Sequence, residues 1–128
     1  MSGESRRIRV LTVDDHSLFR KGVATLVNAE ADMKVVAEAS TGAEAIDLFK
    51  QYHPDITSMD LQMPGMGGIE TIAGIRRDFP NARIIVLTTY RGDAQIMRAL
   101  KAGARAYLLK DQLDLELLDA IRAVHAAQ

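Results

Sequence analysis

Apolar residues along this chain follow two alternating rhythms. Short β-branched runs are followed by longer stretches in which apolar positions recur every three or four residues, the signatures of strand and amphipathic helix. Ile8–Val13 (IRVLTV) is the first run, and it stops at Asp14-Asp15. Over Ser17–Ala29, residues Leu18, Phe19, Val23, Leu26 and Val27 share helical spacing. Lys34–Ala39 predicts a second strand, which Ser40-Thr41-Gly42 turns into a helix over Glu44–Tyr52 with Ala45, Ile46, Leu48 and Phe49 on its apolar side. His53-Pro54 ends that helix, because proline disfavours helical conformation at the residue before it. Asp55–Met59 predicts a third strand leading into Asp60, followed by a breaker loop, Leu61–Gly68, with one proline and three glycines. Beyond it lie a helix over Ile69–Phe79, a Pro80-Asn81 turn and a strand over Arg83–Leu87. The unbroken Ile84-Ile85-Val86-Leu87 suits a strand buried on both faces, as in a parallel sheet. A helix over Asp93–Ala102 stops at Gly103, a glycine placed as a C-terminal cap. Ala106–Leu109 is a short fifth strand, and Leu113–Ala127 carries Leu115, Leu117, Leu118, Ile121 and Val124 at amphipathic spacing.

Five strand–helix units in strict alternation imply a parallel sheet with helices on both faces. The fold class expected is α/β, a flavodoxin-like doubly wound sheet of order 2-1-3-4-5 with five helices. No internal linker, repeat or low-complexity tract divides the chain, so residues 1–128 form one domain, long enough for a single core. In such a sheet every strand C-terminus emerges on one edge, and ligands bind at the switch point, here between strands one and three. Those strands end in Asp14-Asp15 and Asp60, with Thr88 closing strand four and Tyr107 and Lys110 in or just past strand five.

Composition narrows the chemistry. There are no cysteines, which removes disulfides, zinc–thiolate sites and thiol catalysis. A formal net charge of −1 gives no general attraction to nucleic acid or anionic membrane, so DNA would be reached only through a segment outside this chain. No apolar stretch approaches the roughly 20 residues of a membrane span, and the polar Met1–Arg7 does not read as a secretory signal. The expected setting is cytoplasmic, without membrane contact.

Each candidate residue also has an ordinary reading. Adjacent carboxylates at Asp14-Asp15 repel unless a cation relieves them, and Mg²⁺ suits one or two carboxylates with waters and a phosphate oxygen; the same residues could instead cap the following helix. Asp60 can accept a phosphoryl group as an acyl phosphate, or simply start a β-turn. Gln62 lies close enough for its backbone carbonyl to complete a metal shell. Thr88 could donate to a phosphoryl oxygen, or reflect strand propensity. Lys110 could neutralise that group, pair with the acids, or be a solvated charge. Tyr107 could be a half-buried aromatic with its hydroxyl in water. His16 directly follows the acids, where a metal or general-base role is conceivable. With no other histidine nearby in sequence it reads first as polar packing at a helix start, His53 and His125 as surface residues, and Met59, Met63, Met66 and Met97 as core and loop fillers.

Taken together, the stretches TVDDH, MDLQMPGMGG, LTTY and ALKAGARAYLLKD resemble a response-regulator receiver domain over about residues 7 to 126, in particular its NarL/FixJ (LuxR)-type branch. The resemblance implies the CheY-like form of the fold. It implies Asp60 as phosphoacceptor fed by a sensor histidine kinase, and Asp15 binding Mg²⁺ directly. Asp14 would act mainly through water and Gln62 through its carbonyl. Thr88 and Lys110 would contact the phosphoryl group, and Thr88 and Tyr107 would act as switch residues remodelling the face formed by the fourth helix, fifth strand and fifth helix. It also implies homodimerisation on phosphorylation. A C-terminal helix-turn-helix DNA-binding domain is expected in the full-length protein and is absent here, the alternative being a stand-alone receiver acting through protein contacts. Such a domain is a phosphoacceptor and not an enzyme, apart from self-phosphorylation from small donors and slow self-dephosphorylation.

Four positions depart from the family pattern. Thr57-Ser58 places two hydroxyls where bulky aliphatics are usual, and each needs a hydrogen-bond partner. Gly67 stands where aspartate is common, removing a helix cap beside Asp60. Asp111 follows Lys110 in place of the proline common in receivers generally. A Mg²⁺-dependent aspartyl phosphohydrolase is a weaker reading, because its nucleophile would sit on the first strand in a DxD pattern under a cap domain. A flavodoxin-like cofactor binder lacks its phosphate cradle after strand one.

Overall fold

The structure, a computed structural model, describes residues 7–89 and 93–127. Residues 1–6, Tyr90 of the LTTY stretch and Gln128 lie outside the described residues. Five parallel strands, β1 (Ile8–Val13), β2 (Met33–Ala39), β3 (Ile56–Asp60), β4 (Ile84–Thr88) and β5 (Ala106–Leu109), form one sheet of order β2-β1-β3-β4-β5. The helices are α1 (Ser17–Asn28), α2 (Gly42–Tyr52), α3 (Gly68–Asp78), α4 (Asp93–Ala102) and α5 (Leu113–Ala126), with one 3₁₀ turn at Lys110–Gln112. Strand order and alternation are as the apolar pattern predicts. Several boundaries shift by a residue or two: β2 begins at Met33, α2 at Gly42, and β3 and β4 run from Ile56 and Ile84 through the polar Asp60 and Thr88.

The sheet's two faces are covered unequally. One face packs Leu11, Val13, Met59, Ile84 and Val86 against α2, α3 and α4 through Ala45, Phe49, Ile72, Ile75 and Ala99. The other packs Val10, Ile56, Ile85 and Leu87 against α1 and α5 through Val23, Val27, Leu117 and Ile121. Each fully buried aliphatic side chain contributes about 1.5–3 kcal/mol. Two residues assigned to apolar faces by spacing alone are turned outward: Leu18 is 86% exposed and Leu115 is 77% exposed. Each lies in the first turn of its helix. Met97 is likewise exposed on α4, not a filler. No described helix is long and apolar enough to cross a membrane.

Helix ends follow their local chemistry. Thr41 accepts from the Glu44 N–H at 3.1 Å, capping α2. Gly103, at φ +123°, closes α4; its N–H reaches the Leu100 carbonyl and the Ala104 N–H reaches Ala99, the paired bonds of a Schellman motif. Gly67 opens α3 without a side-chain cap, as its lack of a side chain requires. The Glu70 carboxylate reaches back to the Gly67 N–H at a long 3.5 Å.

The two hydroxyls of β3 have different fates. Ser58 Oγ lies 2.9 Å from Thr12 Oγ1 across the β1–β3 pair, so both are satisfied in the core. Thr57 Oγ1 is buried and has no hydrogen-bond partner. Leaving such a group unpaired costs about 1–3 kcal/mol, so Thr57→Val, nearly the same shape, is expected to raise stability by about 1 kcal/mol. A urea unfolding midpoint that stays level or falls would contradict that account.

Candidate functional site

Register brings the acids together. β1 and β3 are adjacent with Val13 opposite Met59, so the next residue of each strand, Asp14 and Asp60, emerges side by side. The Asp14 N–H is tied to the Ala39 carbonyl at 3.0 Å, fixing the chain as it leaves β1. Both carboxylates are nearly fully buried, at 2% exposure. Two such groups in one dry corner require a cation. Lys110, reaching back from the end of β5, places Nζ 2.9 Å from Asp14 Oδ2 and 3.4 Å from Asp60 Oδ1. Its ammonium also stands 4.3 Å from the centroid of the Phe19 ring, a cation–π contact that holds it over the site.

The two oxygens of Asp60 have different surroundings. Oδ1 accepts the Gln62 N–H at 3.2 Å and faces Lys110, whereas Oδ2 is buried with no hydrogen-bond partner. Burial, and then the Asp14 charge, push the Asp60 carboxyl up to about 6; Lys110 and the Gln62 N–H act against that rise. Asp15 Oδ1 is a second buried carboxylate oxygen without a hydrogen bond. Donor atoms of Asp14, Asp15, His16 and Asp60 all lie within 4.8 Å of one another. Orphaned carboxylate oxygens at this spacing fit a hard divalent cation, which would satisfy them and offset their mutual repulsion.

Asp14 and Asp15 do not cap α1. The helix begins after His16, which has no side-chain cap, and Asp14 Oδ1 accepts the His16 N–H at 2.9 Å in a local turn. Gln62 meets Asp60 through its main-chain N–H. Thr88 is fully buried at the end of β4, next to the strand that ends in Asp60. Tyr107 stands apart: it is opposite Val86 in register, on the edge strand, and 44% exposed.

Three further residues from the start of α1 take part in the site. His16 makes the polar contacts expected at the helix start: its ring is 70% exposed, with Nδ1 3.4 Å from both Asp14 Oδ1 and Asp15 Oδ1. Phe19, counted only for its helical spacing, packs against the core and also lies under the Lys110 ammonium. Arg20 donates to the Asp14 carbonyl at 2.7 Å and to Glu38 at 3.1 Å, bracing the loop that carries the acids. Their shared signal is position: the first turn of a helix that follows a strand-end acid points back over the sheet edge.

Gly68 backs the site from below. A side chain there would drive into the main chain of Asp60 and Leu61. Gly68→Ala is therefore expected to displace the loop after Asp60 and weaken divalent-ion binding at least several-fold, as isothermal titration would record. Unchanged affinity would show that the loop does not hold Asp60 in place.

Comparison with known proteins agrees with this geometry. The family model for the response regulator receiver domain matches residues 10–122. The transcriptional regulatory protein LiaR of Bacillus subtilis is 44% identical over 116 residues, covering 91% of this chain and 55% of that protein. The nitrate/nitrite response regulator protein NarP of Escherichia coli is 43% identical over 120 residues, covering 94% of this chain and 56% of that protein. The chain thus spans about half the length of the curated relatives it matches. A two-component response regulator of the LuxR family from Aurantimonas superposes with a TM-score of 0.90 at 40% identity, covering 94% of this chain and 86% of that one. These relatives are regulators, and the match covers nearly the whole of the sequence: the chain belongs to the response regulator receiver domain family, in its LuxR/NarL-type branch.

Proposed function

We propose that this receiver takes a phosphoryl group onto Asp60 from the phosphohistidine of a sensor kinase, and that the acyl phosphate switches a surface on the far side of β4. The observation that carries this reading is Asp60 itself: a buried carboxylate with one oxygen unpaired and a lysine ammonium at its other oxygen. An Asp60 oxygen forms a bond to phosphorus while the phosphorus–nitrogen bond breaks and its electron pair returns to the imidazole. With its carboxyl raised to about 6, Asp60 is mainly ionised at pH 7 and ready as a nucleophile. Mg²⁺, held by Asp14, Asp15, Asp60 and the Gln62 carbonyl, would supply charge neutralisation for the transferring group. Lys110 moves from carboxylate to phosphoryl oxygen by a small shift, and Thr88 donates its hydroxyl to another oxygen.

New bonds to Thr88 favour one packing of α4 over another, and Tyr107 turns from its exposed position into the space released. Coupling of this kind is worth about 1–3 kcal/mol, enough to move a minor state toward dominance. Tyr107, Met97, Leu100 and Leu115 are exposed on the α4–β5–α5 side, which favours that side as the one where two phosphorylated copies meet. Residues 1–128 act as a single phosphoacceptor domain. In the full-length protein, dimerisation would raise the DNA affinity of an attached helix-turn-helix domain by avidity, in the cytoplasm where kinase and DNA are both within reach.

Incubation with acetyl phosphate followed by intact-mass measurement tests the reading. A gain of one phosphoryl group that requires Mg²⁺ and disappears in Asp60→Asn is expected. No gain in a folded protein that binds Mg²⁺ would overturn it.

A further inference from the structure

The family reading uses oxygen donors only, yet the acid cluster has a nitrogen at its rim. His16 Nδ1 lies 3.4 Å from Asp14 Oδ1 and 3.4 Å from Asp15 Oδ1. Around a first-row ion with bonds of about 2.0–2.2 Å, neighbouring donors stand roughly 3.0–3.5 Å apart, so these two separations match the edges of a coordination polyhedron. The opposite side of Asp14 is already engaged, since Oδ2 is bonded to Lys110; Oδ1 is the oxygen shared with His16. Two further oxygens, Asp15 Oδ1 and Asp60 Oδ2, are buried without hydrogen bonds, and all four side chains offer donors within 4.8 Å.

We infer that His16 makes this site a mixed nitrogen–oxygen chelate, which binds borderline transition ions such as Zn²⁺ in competition with, and much more tightly than, Mg²⁺. The inference rests on the proposed divalent-ion site and adds a ligand to it. Mg²⁺ takes oxygen donors and keeps its waters, so an imidazole adds little for it. Zn²⁺ accepts imidazole at full strength and stands higher in the general affinity order for such sites. His16 is free to serve, because its ring is mostly solvent-exposed and caps no helix. A Zn²⁺ ion drawing on Asp60 as well as His16 would occupy the acceptor oxygen, so the same imidazole makes phosphoryl uptake sensitive to transition-metal load.

The test is a pair of titrations, Zn²⁺ and Mg²⁺ separately, on wild-type protein and His16→Ala, with the imidazole nitrogens followed by ¹⁵N NMR. Wild type should bind Zn²⁺ at least 100-fold more tightly than Mg²⁺, and His16→Ala should lower that ratio at least tenfold. Zn²⁺ should also shift the His16 Nδ1 resonance, identified by its loss in the variant, and excess Zn²⁺ should displace Mg²⁺. An unchanged ratio in His16→Ala, or a Zn²⁺-induced shift confined to His53 or His125, would overturn the inference while leaving the Mg²⁺ site standing. Failure of folded wild type to bind either ion would overturn both the inference and the site reading beneath it.

Discussion

Replacing Lys110 by alanine is expected to destabilise the metal-free protein by about 3 kcal/mol at pH 7.5. The ammonium sits between two carboxylates that are each 2% exposed. Removing one partner of a buried ion pair costs about 3–5 kcal/mol, because the remaining charge is left uncompensated. Here the cost is softened, since Asp60 can take up a proton. Lys110 opposes the rise of the Asp60 carboxyl, so its loss sends that carboxyl above about 6. A folded-state carboxyl raised above its unfolded value is protonated in both states at low pH, and stability falls as pH climbs from the unfolded toward the folded value. The deficit of Lys110→Ala should therefore shrink below about pH 5 and reach its full size above the raised value. Urea unfolding across that range measures it. A variant as stable as wild type at pH 7.5 would mean that the ammonium is not what holds the two acids together.

The second large effect has the opposite sign. Asp60→Asn is expected to stabilise the metal-free fold above pH 7 while abolishing phosphoryl uptake. The Asp60 carboxyl stands at about 6 against an ordinary 3.8, a rise that corresponds to an upper bound of roughly 3 kcal/mol. Folding binds this proton more tightly, so Asp60 costs no stability at low pH. Its penalty grows between about pH 4 and pH 6 and is constant above. Asparagine keeps an acceptor for the Gln62 N–H but carries no charge, so the two unfolding curves should coincide near pH 4 and separate by about 1–3 kcal/mol at pH 7.5. Mg²⁺ should then raise wild type more than the variant, because binding to the folded state stabilises it in proportion to affinity. Asp60→Asn less stable than wild type at pH 7.5 would contradict the strained-carboxylate account. Function at this position is thus held at the expense of stability, a trade that active sites commonly show.

How much of this could be read from the sequence divides along physical lines. Strand order and the shared edge followed from alternation, because β3 and β4 are buried on both faces and only a parallel, doubly covered sheet allows that. Asp14, Asp15, Asp60 and Lys110 were legible as a group for the same reason: strand ends converge whatever the helices do. What escaped was set by side-chain direction. The first turn of α1 turns Phe19 and Arg20 back over the edge and leaves Leu18 in solvent, and a periodicity count treats all three only as members of a helix. The satisfied Ser58 and the orphaned Thr57 were indistinguishable in sequence. Their difference depends on Thr12 lying opposite Ser58 across the β1–β3 pair. Gly67 was the exception, since a residue without a side chain cannot cap, and its helix does begin uncapped.

The central claim is that the phosphoryl group resides on Asp60 as an acyl phosphate, and chemical trapping tests it most directly. After reaction with acetyl phosphate and Mg²⁺, borohydride reduces an aspartyl phosphate to homoserine, which peptide mass spectrometry locates. Homoserine at position 60, and at no other aspartate, is the predicted result. Homoserine at Asp14 or Asp15, or none in protein that has gained phosphate, would contradict it.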